Sequence, residues 1–298
     1  MKAYIPASLK GIISIFFWVV NTVPRFFILL IAALLKLLVP FKWWRKALTL
    51  LIIWTAENWA KWNGFIYDNL YDIQWNVEGL EQLEREGWYL VISNHQTWID
   101  IPILQKLFYK KIPFLKFFLK KELIWVPIMG ICWWALDFPF MKRYSAEYLK
   151  KKPHMKGKDI EITRKACEKF KTTPVSVMNY LEGSRFSTEK HDYQKSPYKN
   201  LLKPKSGGVG FVLTTMGEQL KSIVDVTIYY PQGRLSMWDF LCGRLEKVDI
   251  IIKTIPITDE ILGDYIEDQD YRNRFQKWIN DLWIEKDQLL DEMAEKYK

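Results

Sequence analysis

Two polar clusters, each closing an apolar run, carry the residues that could do chemistry. In the first, Trp88-Tyr89-Leu90-Val91-Ile92 gives way to Ser93-Asn94-His95-Gln96-Thr97, and Asp100 follows five residues after His95. An imidazole with a carboxylate in reach makes a general base: the carboxylate holds the proton on one ring nitrogen and leaves the other free. In the second, the run Val175 to Leu181 ends in Glu182-Gly183-Ser184-Arg185. Gly183 permits a tight turn and Arg185 offers a planar fork suited to phosphate. Ser184 and nearby amides complete the oxyanion contacts, while Glu182 either pairs with Arg185 or holds the turn. Each cluster also has a plainer reading. His95 also reads as a turn residue beside a helix-start acid, and the second cluster as a charged turn with a weak surface ion pair. Two such unlike clusters at strand ends favour a shared site.

For these residues to meet, their strands must end at one edge of a sheet, where open α/β sheets place their ligands. Strands are predicted at Ile73–Glu78, Trp88–Ser93, Leu136–Met141, Val175–Leu181, Val224–Tyr230 and Val248–Thr254. Helical patterns fall between several of them, at Ile101–Tyr109, Lys158–Lys171 and Val209–Leu220, and the tail from Tyr271 to Tyr297 is helical. Strands alternating with helices imply an α/β domain with a central, mostly parallel sheet flanked by helices. This domain is expected over residues 72–298, behind a helical, membrane-anchoring region over residues 1–71.

The anchor rests on residues 9–40. Ile12 to Val20 is apolar, Asn21-Thr22-Val23-Pro24-Arg25 interrupts, and Phe26 to Val39 is apolar again except for Lys36. The segment is long enough to span a bilayer, but Pro24 and Arg25 near its middle are expensive in hydrocarbon. One kinked span and a hairpin of two short helices dipping into one leaflet both fit, and a buried hairpin in a soluble protein is the third reading. A cleavable signal is disfavoured, since no small-residue cleavage site follows. Lys42, Arg45 and Lys46, beside Trp43 and Trp44, form a basic and aromatic collar suited to a headgroup zone. Ala47 to Tyr71 continues as an aromatic-rich helix. The whole chain of 298 residues has 15 Trp and a formal charge of +9, which favours anionic partners: lipid, a phosphorylated substrate or nucleic acid. Cys132, Cys167 and Cys242 lie far apart, as do His95, His154 and His191, so no metal centre is expected and the thiols read as free core residues.

Asn94-His95 with Asp100, followed by Glu182-Gly183-Ser184-Arg185, resembles the 1-acylglycerol-3-phosphate acyltransferase family of glycerolipid synthesis. Lys120-Lys121-Glu122-Leu123 and Trp125-Val126-Pro127 through Gly130 resemble the family's segment between its first two motifs. Phe140-Met141-Lys142-Arg143 is similar to the second motif, Pro204-Lys205 with Gly208 to the turn after the third, and Val224 to Pro231 to the fourth. The second motif departs from the family pattern, with Ala135-Leu136-Asp137-Phe138-Pro139 where a glycine and an aliphatic strand usually stand; Pro139 makes that strand an edge or a bulge.

The resemblance implies catalysis by His95 and Asp100, with Arg143, Glu182, Gly183, Ser184, Arg185 and Lys205 on the substrate. It implies a membrane-bound enzyme moving an acyl group from a thioester, acyl-CoA or acyl-carrier protein, to the free hydroxyl of 1-acylglycerol-3-phosphate, giving phosphatidate. No metal, other cofactor or nucleic acid is implied. The expected location is a bacterial inner membrane, with the site facing the cytoplasm. Another lysophospholipid acceptor, such as lysophosphatidylglycerol, and a non-catalytic basic membrane module are the alternatives. No Gly-x-Ser-x-Gly elbow occurs, so the attacking oxygen is expected from the substrate.

Overall fold

The two strands that end in polar clusters lie side by side. The computed structural model describes residues 5–141, Phe170 and 173–298. Its strands are β1 (Gln74–Glu78), β2 (Tyr89–Ser93), β3 (Leu115–Phe117), β4 (Leu119–Lys120), β5 (Phe140–Met141), β6 (Ser176–Tyr180), β7 (Ser222–Tyr229) and β8 (Lys247–Pro256). Six of them form one sheet in the order β1-β8-β7-β2-β6-β3, and β4 pairs with β5 apart from it. Strands β7, β2, β6 and β3 run parallel, whereas β8 runs antiparallel to β7 and carries β1 along with it. The chain is therefore α/β with a mostly parallel sheet. β2 sits inside it and is buried at all five positions, as an apolar strand covered on both faces must be.

The pleat of β2 divides the core. Tyr89 and Val91 face one apolar cluster, and Leu90 and Ile92 face the other. The first cluster is closed by α1 (Ala7–Leu38), α2 (Lys42–Leu70), α3 (Asp100–Leu107) and α4 (Met129–Ala135). The second is closed by α6 (Gly207–Met216), which follows the short α5 (Thr188–Gln194), and by α8 (Gln269–Glu295), which lies beyond α7 (Met237–Leu241). Asp268 caps α8 by accepting from the Tyr271 amide at 2.9 Å. Its buried stripe, from Tyr271 through Phe275, Ile279, Trp283 and Lys286 to Leu290 and Met293, follows the three-and-four spacing of an amphipathic helix. Lys286 is the one charge in that stripe. It pairs with Asp225 at 2.7 Å and donates to Val226 O and Thr227 Oγ1.

At the N-terminus one continuous helix, α1, with Pro24 inside it, runs as far as Leu38, so of the readings left open the hairpin of two short helices within residues 9–40 does not form. A hairpin exists, but α2 is its second arm, and the turn falls at 39–41. α1 is long and apolar enough to cross a membrane by length and composition. It leaves Ile12, Phe16, Phe27, Ile31 and Leu38 exposed, and α2 adds Trp43, Trp54 and Phe65.

Two further expectations change. Of the strand predicted at Leu136–Met141, only Phe140–Met141 forms, because Leu136 still caps α4 and Asp137 takes a positive φ of 57°. The edge strand β3, only three residues long and following Pro113, carried too little periodicity to be seen in the sequence. The predicted helix Lys158–Lys171, Arg143 and Cys167 lie outside the described residues, apart from Phe170. Cys132 and Cys242 are buried free thiols.

Candidate active site

Register brings the two polar clusters together. Ser93 at the end of β2 pairs with Tyr180 at the end of β6, so the residues after each strand emerge at the same level. Beyond Ser93 the main chain turns away from β7, and the Asn94 side chain takes over the ladder. Its Nδ2 donates to Ile228 O and its Oδ1 accepts from Ile228 N, each at 2.9 Å, so both β7 groups remain paired.

α3 begins at Asp100, which returns its carboxylate to the turn before it. Oδ2 accepts from His95 Nδ1 at 2.8 Å, from the Gln96 amide at 2.7 Å and from the Thr97 amide at 3.0 Å. Oδ1 accepts from the Tyr230 hydroxyl at 2.8 Å. Asp100 is wholly buried, with four hydrogen-bonding groups aimed at its two oxygens. That carboxylate takes the proton on Nδ1, which leaves His95 Nε2 as the basic nitrogen. Tyr180 stacks on the imidazole with ring centroids 3.8 Å apart and planes within 9°, fixing the ring's orientation.

Glu182, expected on the substrate, is wholly buried. Oε1 accepts from the His95 amide at 2.6 Å and Oε2 from the Leu202 amide at 2.9 Å. It ties the histidine's loop to the loop of residues 200–206. Burial raises its carboxyl to about 7, against the pull of those two amides. Gly183 turns the chain at a φ of 67°, where a side chain is strained. Lys205 is exposed, with its amide donating to Leu181 O at 2.8 Å, and stands outside the walls of the two cavities that meet at His95.

One of those cavities, of about 230 Å³, is apolar and runs beneath the hairpin, between Leu29 and Ala56 on one side and Phe117, Cys132 and Phe138 on the other. Burial pushes the Cys132 thiol up to about 11, so it behaves as an apolar wall. The other, of about 410 Å³, is lined by Gly183, Ser184, Arg185, Lys120 and Lys190. His95 and Tyr180 line both. The Arg185 guanidinium lies 4.1 Å over the Trp98 ring, and Lys190 Nζ donates to Arg185 O at 2.8 Å. The His95 imidazole thus stands between an apolar slot and a cationic chamber. Among the described residues no group of three or more His, Cys, Asp or Glu is placed to hold a metal ion.

The structure therefore gathers His95, Asp100, Gly183, Ser184 and Arg185 around one point, with Glu182 behind them and Lys205 to the side. Sequence reasoning missed Tyr180, Tyr230, Lys120 and Lys190. Lys120 lay in a recognised segment, and Tyr230 in the fourth motif, but nothing local shows that a tyrosine 130 residues away reaches Asp100.

A family model described as Acyltransferase matches residues 74–230, more than half of the chain. The 2-acyl-1-lysophosphatidylinositol acyltransferase of Saccharomyces cerevisiae is 25% identical over 68% of this chain and 60% of its own length. Human 1-acyl-sn-glycerol-3-phosphate acyltransferase gamma is 24% identical over 57% of this chain and 43% of its own length. The Arabidopsis thaliana 1-acyl-sn-glycerol-3-phosphate acyltransferase 3 is 24% identical over 83% of this chain and 62% of its own length. The chain thus spans roughly half of the length of these relatives. The crystal structure of the 1-acyl-sn-glycerophosphate acyltransferase PlsC from Thermotoga maritima superposes with a TM-score of 0.52, covering 97% of each chain at 17% identity; the likeness is one of fold.

Proposed function

Because the chain belongs to the acyltransferase family, we propose that it is a membrane-bound enzyme that acylates the free hydroxyl of 1-acylglycerol-3-phosphate, giving phosphatidate. The observation that carries this reading is the His95–Asp100 pair, 2.8 Å apart, at the meeting point of an apolar and a cationic cavity. Such a junction suits a substrate with an acyl chain at one end, a phosphate at the other and a hydroxyl between them.

His95 Nε2 takes the proton of that hydroxyl as its oxygen attacks the thioester carbonyl of the donor, acyl-CoA or acyl-carrier protein. Asp100 stabilises the imidazolium that forms, with Tyr230, Gln96 and Thr97 holding the carboxylate in place. The tetrahedral adduct then collapses, the carbon–sulfur bond breaks, and the departing thiolate recovers the proton from His95. No acyl-enzyme forms, because the lipid supplies the nucleophile. Arg185, Lys120 and Lys190 receive the phosphate, and Arg185 is held against Trp98 for a planar contact. Glu182 acts by holding the backbone of His95, and Arg143, on the second motif, is a further phosphate ligand in this reading.

The exposed apolar face of α1 and α2, continued by Trp125 (85% exposed) and Trp134, is the surface that meets the bilayer. Lys42, Arg45 and Lys46 at the hairpin turn suit anionic headgroups and support a location on a bacterial inner membrane with the site towards the cytoplasm. The yeast relative favours a second acceptor, a lysophospholipid with a larger headgroup such as lysophosphatidylinositol.

The test is thiol release by the purified full chain with acyl-CoA and a panel of lysophospholipids. His95→Ala is expected to lower kcat by about 10²–10⁴ with the fold intact. A fully active His95→Ala protein would overturn the assignment.

A further inference from the structure

The hairpin is apolar outside but carries a polar seam between its arms. Asn21 Nδ2 donates to Asn63 Oδ1 at 2.8 Å and to Trp59 O at 3.1 Å, and Trp59 Nε1 donates to Thr22 Oγ1 at 3.0 Å. Two atoms are left over: Asn21 Oδ1 and Asn63 Nδ2 are buried without a partner, in side chains only 6% and 3% exposed. One helical turn on, Arg25 donates from Nη1 to Asn21 O at 2.8 Å, its sole hydrogen bond among the described residues, and no carboxylate there pairs with it.

Arg25 lines two cavities. One is the apolar cavity that reaches His95. The other, of about 430 Å³, lies away from the reaction chamber and is walled by Phe17, Val20, Asn21, Trp62 and Phe65. Phe17, Val20, Trp62 and Phe65 are 44–56% exposed, so this groove opens on the hairpin's outer face. An arginine at the middle of an apolar helix is expensive in hydrocarbon and is kept where it has a partner. The described residues supply no carboxylate here, and the commonest anion at a lipid surface is phosphate.

We propose that this outer groove binds a phospholipid of the bilayer. The phosphate sits on the Arg25 guanidinium, a headgroup hydroxyl or ammonium donates to Asn21 Oδ1, and an acyl chain lies along Phe17, Val20, Trp62 and Phe65. The occupant is a resident lipid and not the acceptor, because neither His95 nor the Lys120, Arg185 and Lys190 chamber reaches the groove. Arg25 also walls the reaction cavity, so the bound lipid props the slot that takes an acyl chain. The inference rests on the reading that the hairpin enters the membrane.

The test uses the full chain in detergent, incubated with dioleoyl phosphatidylglycerol or with dioleoylglycerol, which has the chains without the phosphate, and observed by native mass spectrometry. The wild-type protein is expected to retain one phosphatidylglycerol and no dioleoylglycerol. Retention falls about tenfold or more in Arg25→Gln, falls likewise when Val20→Trp fills the groove with Arg25 in place, and is unchanged in Arg185→Gln. Retention at the wild-type level by either Arg25→Gln or Val20→Trp overturns the proposal, as does loss of retention in Arg185→Gln, which puts the lipid in the reaction chamber. Flotation with phosphatidylglycerol vesicles separates the two readings. If the wild-type protein fails to float, the membrane reading falls and the site with it. If wild type and Arg25→Gln both float while the variant keeps its lipid, only the site falls.

Discussion

Glu182→Gln keeps the shape of a side chain whose charge is buried against two amides, and the structure sets the size of both consequences. The carboxyl is raised from 4.5 to about 7 by burial, so ionising it in the folded protein costs roughly 3 kcal/mol. Its folded value lies above the unfolded one. The contribution to stability is therefore fully present below about pH 4.5 and is lost as the pH rises through about 7. Glutamine has no such slope. It can accept from only one of His95 N and Leu202 N, and the other amide then faces an NH₂, which costs about 1–3 kcal/mol.

Near pH 8 the two effects nearly cancel, and the variant unfolds close to the wild-type urea midpoint. Relative to wild type it is about 3 kcal/mol better placed at pH 8 than at pH 4.5, because only the wild type meets the ionisation cost. Activity responds differently. With one anchor of the His95 loop gone, a displacement on the order of 1 Å lowers kcat by about 10²-fold, while the KM for the lysophospholipid stays unchanged. Urea midpoints at the two pH values, with steady-state kinetics at pH 8, check both halves. A stability difference that does not move with pH refutes the buried charge. A raised acceptor KM with an intact kcat refutes the positioning role and returns Glu182 to the substrate.

Tyr230→Phe removes the one donor on Asp100 Oδ1, a hydrogen bond to a charged group valued at about 1.5–3 kcal/mol, and kcat is expected to fall by about 10–10²-fold with little change in either KM. Lys286→Met strands the Asp225 carboxylate, which is 4% exposed, and should cost about 3–5 kcal/mol in a urea titration. Combining it with Asp225→Leu should recover most of that loss, since a buried pair replaced by apolar groups is often neutral.

Much of the site is local, and what is local was legible. β2 and β6 announce themselves as apolar runs stopped by polar residues, and Asp100 reaches back to His95 because only a turn and a helix start separate them. The amphipathic tail, too, shows its buried face in its three-and-four spacing. The sequence by itself determined which residues can carry a proton or a phosphate, and that strands must deliver them to one edge.

Only the tertiary structure decided what lies around them. The Ser93–Tyr180 register puts Glu182, 87 residues on, against the His95 amide, so a carboxylate that looked ready for substrate became a tie between loops. The β7 pairing brings Tyr230 to Asp100, and the antiparallel run of β8 beside it leaves no trace in an alternation pattern that reads the same in either direction. The two cavities are spaces between elements distant in sequence, with α1 and α2 roofing one and the ends of β4 and β6 lining the other. Periodicity states which face of a strand or helix is buried. Strand order and register state what it is buried against, and those follow from the packing of the whole chain.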